Sequence, residues 1–192
     1  MSKQNSHHVQ NIRRLVGTAV LSALVIVFDY VLKFSGFKIP FPLFPTLKFD
    51  FTGIPIVLSL LLYDLRSSTT TSAVAFLAIV LRSGDYVGAL MKAIAEFMTV
   101  LGMAPFKNRR NKFGTALSLL LGLILRVGVM SLLNLVVLPA MYPGTYTLYA
   151  VVLLLPLIGL FNVVMGCISI FGGYFIHQAM VNRKALMNLH IS

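Results

Sequence analysis

The sequence predicts an all-α integral membrane protein with a single membrane domain over residues 1–192. Hydrophobic residues make up 58% of the chain and charged residues only 11%, which is too little polar surface to cover a soluble core. Apolar stretches recur at about the 20-residue length that a helix needs to cross a bilayer. No segment alternates as barrel strands do, and hydrocarbon does not tolerate an open sheet edge. We therefore expect a bundle of transmembrane helices.

Six apolar segments are candidate spanning helices. After a tail of residues 1–11, they lie near 12–33, 50–65, 69–82, 86–105, 114–138 and 153–181. The second and third are short, so we expect them to be buried or untilted. The sixth tolerates Pro156 because a proline in the first turn of a helix costs no hydrogen bond.

The distribution of the basic residues indicates how the chain is oriented in the membrane. Sixteen basic and five acidic residues give a net charge of +11. If both termini are cytoplasmic, most basic residues fall inside, including the run 107–112, and few fall outside. Those outside would be Lys33, Lys38, Lys48 and Arg82. A nucleic-acid partner is not needed to explain the charge, and we predict both termini inside with no cleavable signal segment.

The composition of the loop before the second helix indicates that it forms the lip of a binding site. Prolines stiffen this loop and aromatic residues line it: Pro40, Pro42, Pro45, Phe37, Phe41 and Phe44. It then enters a helix through Asp50 and Thr52. A simple connector would be shorter and more polar, so we interpret residues 48–55 as an outward-facing lip.

Three charged residues fall inside predicted spans. Lys92 and Glu96 are four apart on one helix face, so they can pair with each other. Glu96 lies about 15 Å and Arg126 about 18 Å from the outer ends of their helices, so these two can also meet. Charges at that depth cost about 3 kcal/mol or more each, so they should face the interior and be paired. A structural ion pair and a role toward a ligand both remain open.

Asn134 and Asn162 are predicted in the outer halves of the fifth and sixth helices. An uncharged amide offers both a donor and an acceptor, which suits the edge of a neutral heteroaromatic ligand. Hydrogen bonding between helices is the alternative.

The sequence contains no recognisable catalytic or metal site. We find no nucleophile beside a base, no carboxylate pair at metal-ligand spacing and no phosphate-binding glycine loop, so any ATP would be hydrolysed by another chain. An intramembrane enzyme using Glu96 with Lys92 or Arg126 would need a second polar cluster at the same depth. A self-sufficient secondary transporter usually shows inverted repeats. Neither feature is visible, so we predict a protein that is not an enzyme and has no cofactor.

Several of these segments resemble the substrate-binding S components of energy-coupling factor (ECF) vitamin transporters, most closely the riboflavin-specific ones. The matching residues are 19–23 (Ala-x-x-x-Ala), 42–55, 88–92, 126–139 and 156–166. Ala19 and Ala23, with Ser22 alongside, are small residues that let another helix approach closely. From spacing alone, that helix could belong to the same bundle or to another subunit.

The resemblance implies a six-helix bundle in the plasma membrane of a prokaryote. Such a bundle captures a vitamin from outside, docks through the Ala19 and Ala23 face on a membrane coupling subunit with two ATPases, and topples to release the vitamin. Riboflavin is then the transported ligand. We expect the ligand-binding residues to be Phe49, Asp50, Lys92, Glu96, Asn134, Asn162 and Met165.

Met165 departs from the family pattern, which has lysine at this position. The change removes a strong donor to a flavin carbonyl, whereas the methionine sulfur could pack against a ring face. Another vitamin, or a flavin held by stacking and amides, both fit the sequence.

Overall fold

The described part of the chain folds into six α-helices and one small β-hairpin. The computed structural model describes the backbone of residues 2–36, 38–42, 44–107 and 112–189, and the side chains of 8–36, 38–42, 47–107 and 113–183. The helices are α1 (Ser2–Phe34), α2 (Gly53–Leu62), α3 (Leu65–Ser83), α4 (Tyr86–Met103), α5 (Lys112–Met141) and α6 (Leu148–Leu189). Strands β1 (Pro40–Phe41) and β2 (Phe44–Lys48) pair antiparallel between α1 and α2. Phe37, most of the basic run 107–112 and the side chains of Phe44 and Pro45 lie outside the described residues.

Four of these helices are long and apolar enough to cross a membrane. Among the described residues they cover His8–Phe34, Tyr86–Phe106, Phe113–Met141 and Leu148–Arg183. Helix α2 is apolar but has only 10 residues, and α3 carries several serines and threonines. The predicted helical membrane bundle is confirmed, whereas six crossings and cytoplasmic termini stay predictions.

Local capping explains where several helices begin. The Asp64 side chain accepts a hydrogen bond from the Ser67 amide at 2.8 Å, so α3 begins at Leu65 and not near 69. The Thr147 hydroxyl accepts one from the Ala150 amide at 3.3 Å at the start of α6. Because α6 begins at Leu148, Pro156 lies inside the helix, and its predicted place in the first turn is wrong. Helix α1 likewise begins at Ser2 and includes most of the predicted tail.

Short helix α2 lies at the centre of the bundle. Its Ile56, Val57 and Leu60 are fully buried, as expected for so short a segment. Glycines bring the neighbouring helix close, since a Cβ at Gly173 of α6 would lie 2.6 Å from a Val57 methyl. Close approach through small residues provides the van der Waals contact that holds helices together in lipid.

Hydroxyl groups join α1, α2 and α3. The Ser22 hydroxyl donates to Thr71 at 3.5 Å, and the Thr71 hydroxyl donates to Ser59 at 3.3 Å. Ser22 therefore faces the bundle, whereas its neighbours Ala19 and Ala23 on α1 are exposed.

Candidate ligand-binding site

The lip is anchored where the hairpin ends. The Phe49 amide donates to the Ile39 carbonyl at 2.8 Å, which closes the base of the hairpin. One carboxylate oxygen of Asp50 then accepts hydrogen bonds from the Thr52 amide at 3.1 Å and the Thr52 hydroxyl at 2.8 Å. Helix α2 begins at the next residue, so Asp50 and Thr52 lead into the helix as the sequence predicts.

An ion pair ties the lip to α4. The Lys92 ammonium group contacts the second carboxylate oxygen of Asp50, and both side chains are largely buried. The pairing of Lys92 with Glu96 that their spacing allows is not the one that forms, because Lys92 pairs with Asp50. The loop brings Asp50 over α4, while Glu96 is held by an arginine of another helix.

A second ionic cluster secures the other end of the loop. Lys38 Nζ lies 2.7 Å from Asp29 Oδ1, and the Arg82 guanidinium donates to both oxygens of the same carboxylate. This cluster joins α1, the loop and α3. Sequence reasoning missed it, although a lone acidic residue within an apolar span is itself a signal that a partner exists.

Three phenylalanines, which we call the aromatic trio, connect the loop with α6. Phe41, Phe49 and Phe161 have ring centroids 5.3–5.7 Å apart, and the planes of Phe49 and Phe161 are inclined by 34°. These are ordinary separations for attractive aromatic contacts. The lip thus lies closed against α6, directly beside Asn162.

A buried polar centre lies next to the trio. Arg126 of α5 forms a 3.0 Å ion pair with Glu96 of α4, which confirms the contact considered from their depths. Its guanidinium also donates to the Thr99 hydroxyl at 3.1 Å and to the Asn162 amide oxygen at 3.3 Å. Ser169 adds a 3.4 Å hydrogen bond to Glu96. Arg126 and Glu96 are only 2% and 1% exposed, so the charges neutralise each other away from water.

The two predicted asparagines differ in their surroundings. Asn162 is 4% exposed and donates to the Ile158 carbonyl at 2.9 Å while accepting from Arg126. Asn134 is half-buried and donates to the Met130 carbonyl at 2.7 Å. The described contacts join Asn162 to the polar centre and do not join Asn134 to it. Met165, one turn after Asn162, is buried.

Comparison with known proteins decides the family. No family model matches the sequence. The chain is 31% identical to riboflavin transporter FmnP of Bacillus subtilis (strain 168) over 136 residues, which are 67% of this chain and 68% of that protein. It is 30% identical to riboflavin transporter RibU of Staphylococcus aureus (strain TCH60) over 150 residues, 77% of each chain. The chain belongs to the riboflavin transporter family.

The fold agrees with this assignment to the riboflavin transporter family. It matches the solved structure of the S component of a bacterial ECF transporter with a TM-score of 0.74 and 25% sequence identity. The match covers 90% of this chain and 97% of that one. The sequence resemblance to ECF S components is therefore confirmed.

The predicted docking residues of this riboflavin transporter family member lie on an open face of α1. Ala19 and Ala23 are exposed, as are the neighbouring apolar residues Val16, Val20 and Val27. Among the described residues of α1, Leu21 and Val25 are buried in the core, so the core lies on their side of the helix and not on the side of the two alanines. The face is apolar and accessible to another membrane helix.

Two open grooves lie at the end of the bundle away from the lip. One, of about 550 Å³, is lined by residues that include Asp64, Arg66 and Phe97. The other, of about 370 Å³, lies along Arg14 and Thr18 of α1 and Arg66. Neither groove contains a predicted ligand-binding residue.

Proposed function

We propose that this chain is the riboflavin-binding S component of an ECF transporter, which captures the vitamin outside the cell. The observation that carries the proposal is the aromatic trio, which joins the outer loop to α6 beside the buried amide of Asn162. Membership of the riboflavin transporter family supports the choice of ligand. Riboflavin is the cargo in this proposal, and the protein is neither an enzyme nor dependent on a cofactor.

The trio offers a place for a flat ring. An isoalloxazine ring that enters between Phe49 and Phe161 replaces their mutual contact with two ring–ring contacts of offset geometry. The flavin ring is uncharged at neutral pH, so stacking and amide hydrogen bonds hold it without the lysine that Met165 replaces. The thioether of Met165 adds a polarizable contact.

The ionic contacts of the loop control access in this proposal. The lip must lift from α6 to admit the ligand, and the Asp50–Lys92 pair closes it again over the bound ring. Glu96 acts through Arg126 and does not touch the ligand. Asn134, with its amide oxygen turned away from the Met130 carbonyl that its nitrogen binds, supplies a further polar contact.

Replacing Phe161 with alanine should weaken riboflavin binding about tenfold or more, because stacking on an aromatic side chain contributes about 1–3 kcal/mol per ring. Quenching of flavin fluorescence by the purified protein measures the affinity. Phe175→Ala is the matched control, since this phenylalanine of the same helix is 77% exposed. Equal losses in both variants would contradict a role for the trio.

The same measurement tests the identity of the ligand. Absence of quenching by the wild-type protein at micromolar riboflavin would refute riboflavin as the ligand. A titration with other vitamins would then test the alternative that the protein binds one of them.

Transport in this proposal requires a membrane coupling subunit and two ATPases in the plasma membrane of a prokaryote. The exposed face around Ala19 and Ala23 is the contact surface for the coupling subunit. Small side chains there let a partner helix approach closely.

Ala19→Trp or Ala23→Trp should abolish riboflavin uptake and leave riboflavin binding unchanged, because a bulky side chain blocks the approach of the partner helix without reaching the lip. Uptake is measured in cells that contain the coupling subunit and ATPases, and binding on the purified variant. Ala116→Trp, at an exposed alanine of α5, is the control and should transport normally. Loss of binding in the α1 variants would show that these alanines pack within the bundle.

A further inference from the structure

The Asn162 amide is held in one orientation by partners of opposite kind. Its oxygen faces Arg126 Nε at 3.3 Å, and its nitrogen faces the Ile158 carbonyl at 2.9 Å. A guanidinium can only donate a hydrogen bond and a carbonyl can only accept one. Chemistry therefore fixes which end of the amide is oxygen and which is nitrogen.

Arg126 is itself fixed. Glu96 and Thr99 hold its guanidinium from α4 at 3.0 and 3.1 Å. Gly166 of α6 leaves room for its stem, since a Cβ there would lie 3.2 Å from Arg126 Cδ. The Arg126 side chain is thus held by two residues of α4 and packed against α6, which restricts its orientation. The Arg126 guanidinium therefore keeps the Asn162 amide oxygen hydrogen-bonded.

One hydrogen of the Asn162 amide remains. Among the described hydrogen bonds, the nitrogen uses a single N–H on Ile158, and an amide nitrogen carries two. Asn134 differs, because the described contacts fix its nitrogen on Met130 and place no donor on its oxygen. Of the two asparagines, only Asn162 therefore has described neighbours that fix both the oxygen and the nitrogen of its side-chain amide.

We infer that Arg126 is a positioning residue that makes Asn162 a hydrogen-bond donor to a carbonyl oxygen of the ligand. This inference rests on the proposed function and specifies it. The ligand must turn a carbonyl acceptor toward α6, and the flavin ring has two carbonyl groups on its polar edge. Arg126 acts only through the amide and does not itself contact the ligand.

The test compares riboflavin with two thioriboflavins, in each of which sulfur replaces one carbonyl oxygen. Sulfur is a poor acceptor, so the wild-type protein should bind one of the two about tenfold more weakly than riboflavin. Asn162→Ala should reduce this ratio to about one. Arg126→Lys should also reduce it, because a single ammonium that pairs with Glu96 cannot hold the amide oxygen as well. If Arg126→Lys does not fold, the double variant E96Q/R126Q removes the donor-only partner without leaving an unpaired charge.

Ser118→Ala is the control for altered packing. Ser118 is a buried residue of α5 that donates to the Met103 carbonyl at 3.1 Å, outside the polar centre. This variant should keep the wild-type ratio. Equal affinity of the wild-type protein for all three flavins would overturn the inference, as would an unchanged ratio in the Arg126 variants. Failure of the wild-type protein to bind riboflavin at all would instead refute the proposed function.

Discussion

Replacing Glu96 with leucine should destabilise the folded protein by about 3–5 kcal/mol, the usual cost of breaking a buried ion pair. The substitution leaves the Arg126 guanidinium 2% exposed and without its counter-charge. Thr99 and Asn162 still accept its hydrogen bonds, but neither carries a charge. Thermal unfolding of the purified protein in detergent measures the loss.

The double variant Glu96→Leu/Arg126→Met should recover most of that stability, because removing both charges leaves no unpaired ion. The comparison separates the loss of the ion pair from the general cost of altered packing near Gly53. Wild-type stability in the Glu96→Leu variant would mean that Arg126 does not depend on this carboxylate. A double variant no more stable than the single one would assign the loss to packing.

Gly102→Ala should destabilise the protein by about 3 kcal/mol through overpacking between α4 and α5. A Cβ at Gly102 would lie 2.5 Å from the Leu121 carbonyl oxygen and 2.8 Å from its carbon. Both atoms are backbone, so the two helices would have to separate. Gly122 makes the reciprocal approach, with its own Cβ position 3.0 Å from the Thr99 carbonyl.

Gly128→Ala is the matched control for this substitution. A Cβ there meets nothing within 4 Å, so alanine should be tolerated or even favourable, as it is in most helix interiors. The unfolding temperatures of the two variants measured side by side decide the matter. Equal effects would indicate that helix propensity, and not the close approach of α4 and α5, determines the outcome.

The helical architecture follows from the sequence because apolar length is a direct physical requirement of the bilayer. The hairpin between α1 and α2 does not follow from the sequence, since its strands have only 2 and 5 residues and their pairing depends on the loop as a whole. The sequence also predicts a start for α6 that is too late, near 153 and not at Leu148. Pro156 indicated a helix beginning, whereas the helix accommodates the proline in its interior.

The ionic contacts show which part of the site the sequence determines. Depth within the membrane brings Arg126 and Glu96 to one level, so their pairing could be foreseen. Lys92 could pair with Glu96, four residues away, or with Asp50 in the distant loop. Only the folded chain shows that it pairs with Asp50. Proximity in sequence is therefore a weaker guide than burial, because a buried charge requires a partner wherever that partner lies in the chain.

Helix α6 is unusually long for a membrane span. Its 42 residues correspond to a rod of about 63 Å, whereas the hydrocarbon is about 30 Å thick. Helix α6 is thus about twice as long as the hydrocarbon is thick, and its two ends and its tilt share the surplus of about 33 Å. A projection of about 15 Å at one end, turned through about 20°, moves its tip by about 5 Å. A change in the tilt of α6 therefore displaces its ends in the water by more than the part that lies within the lipid.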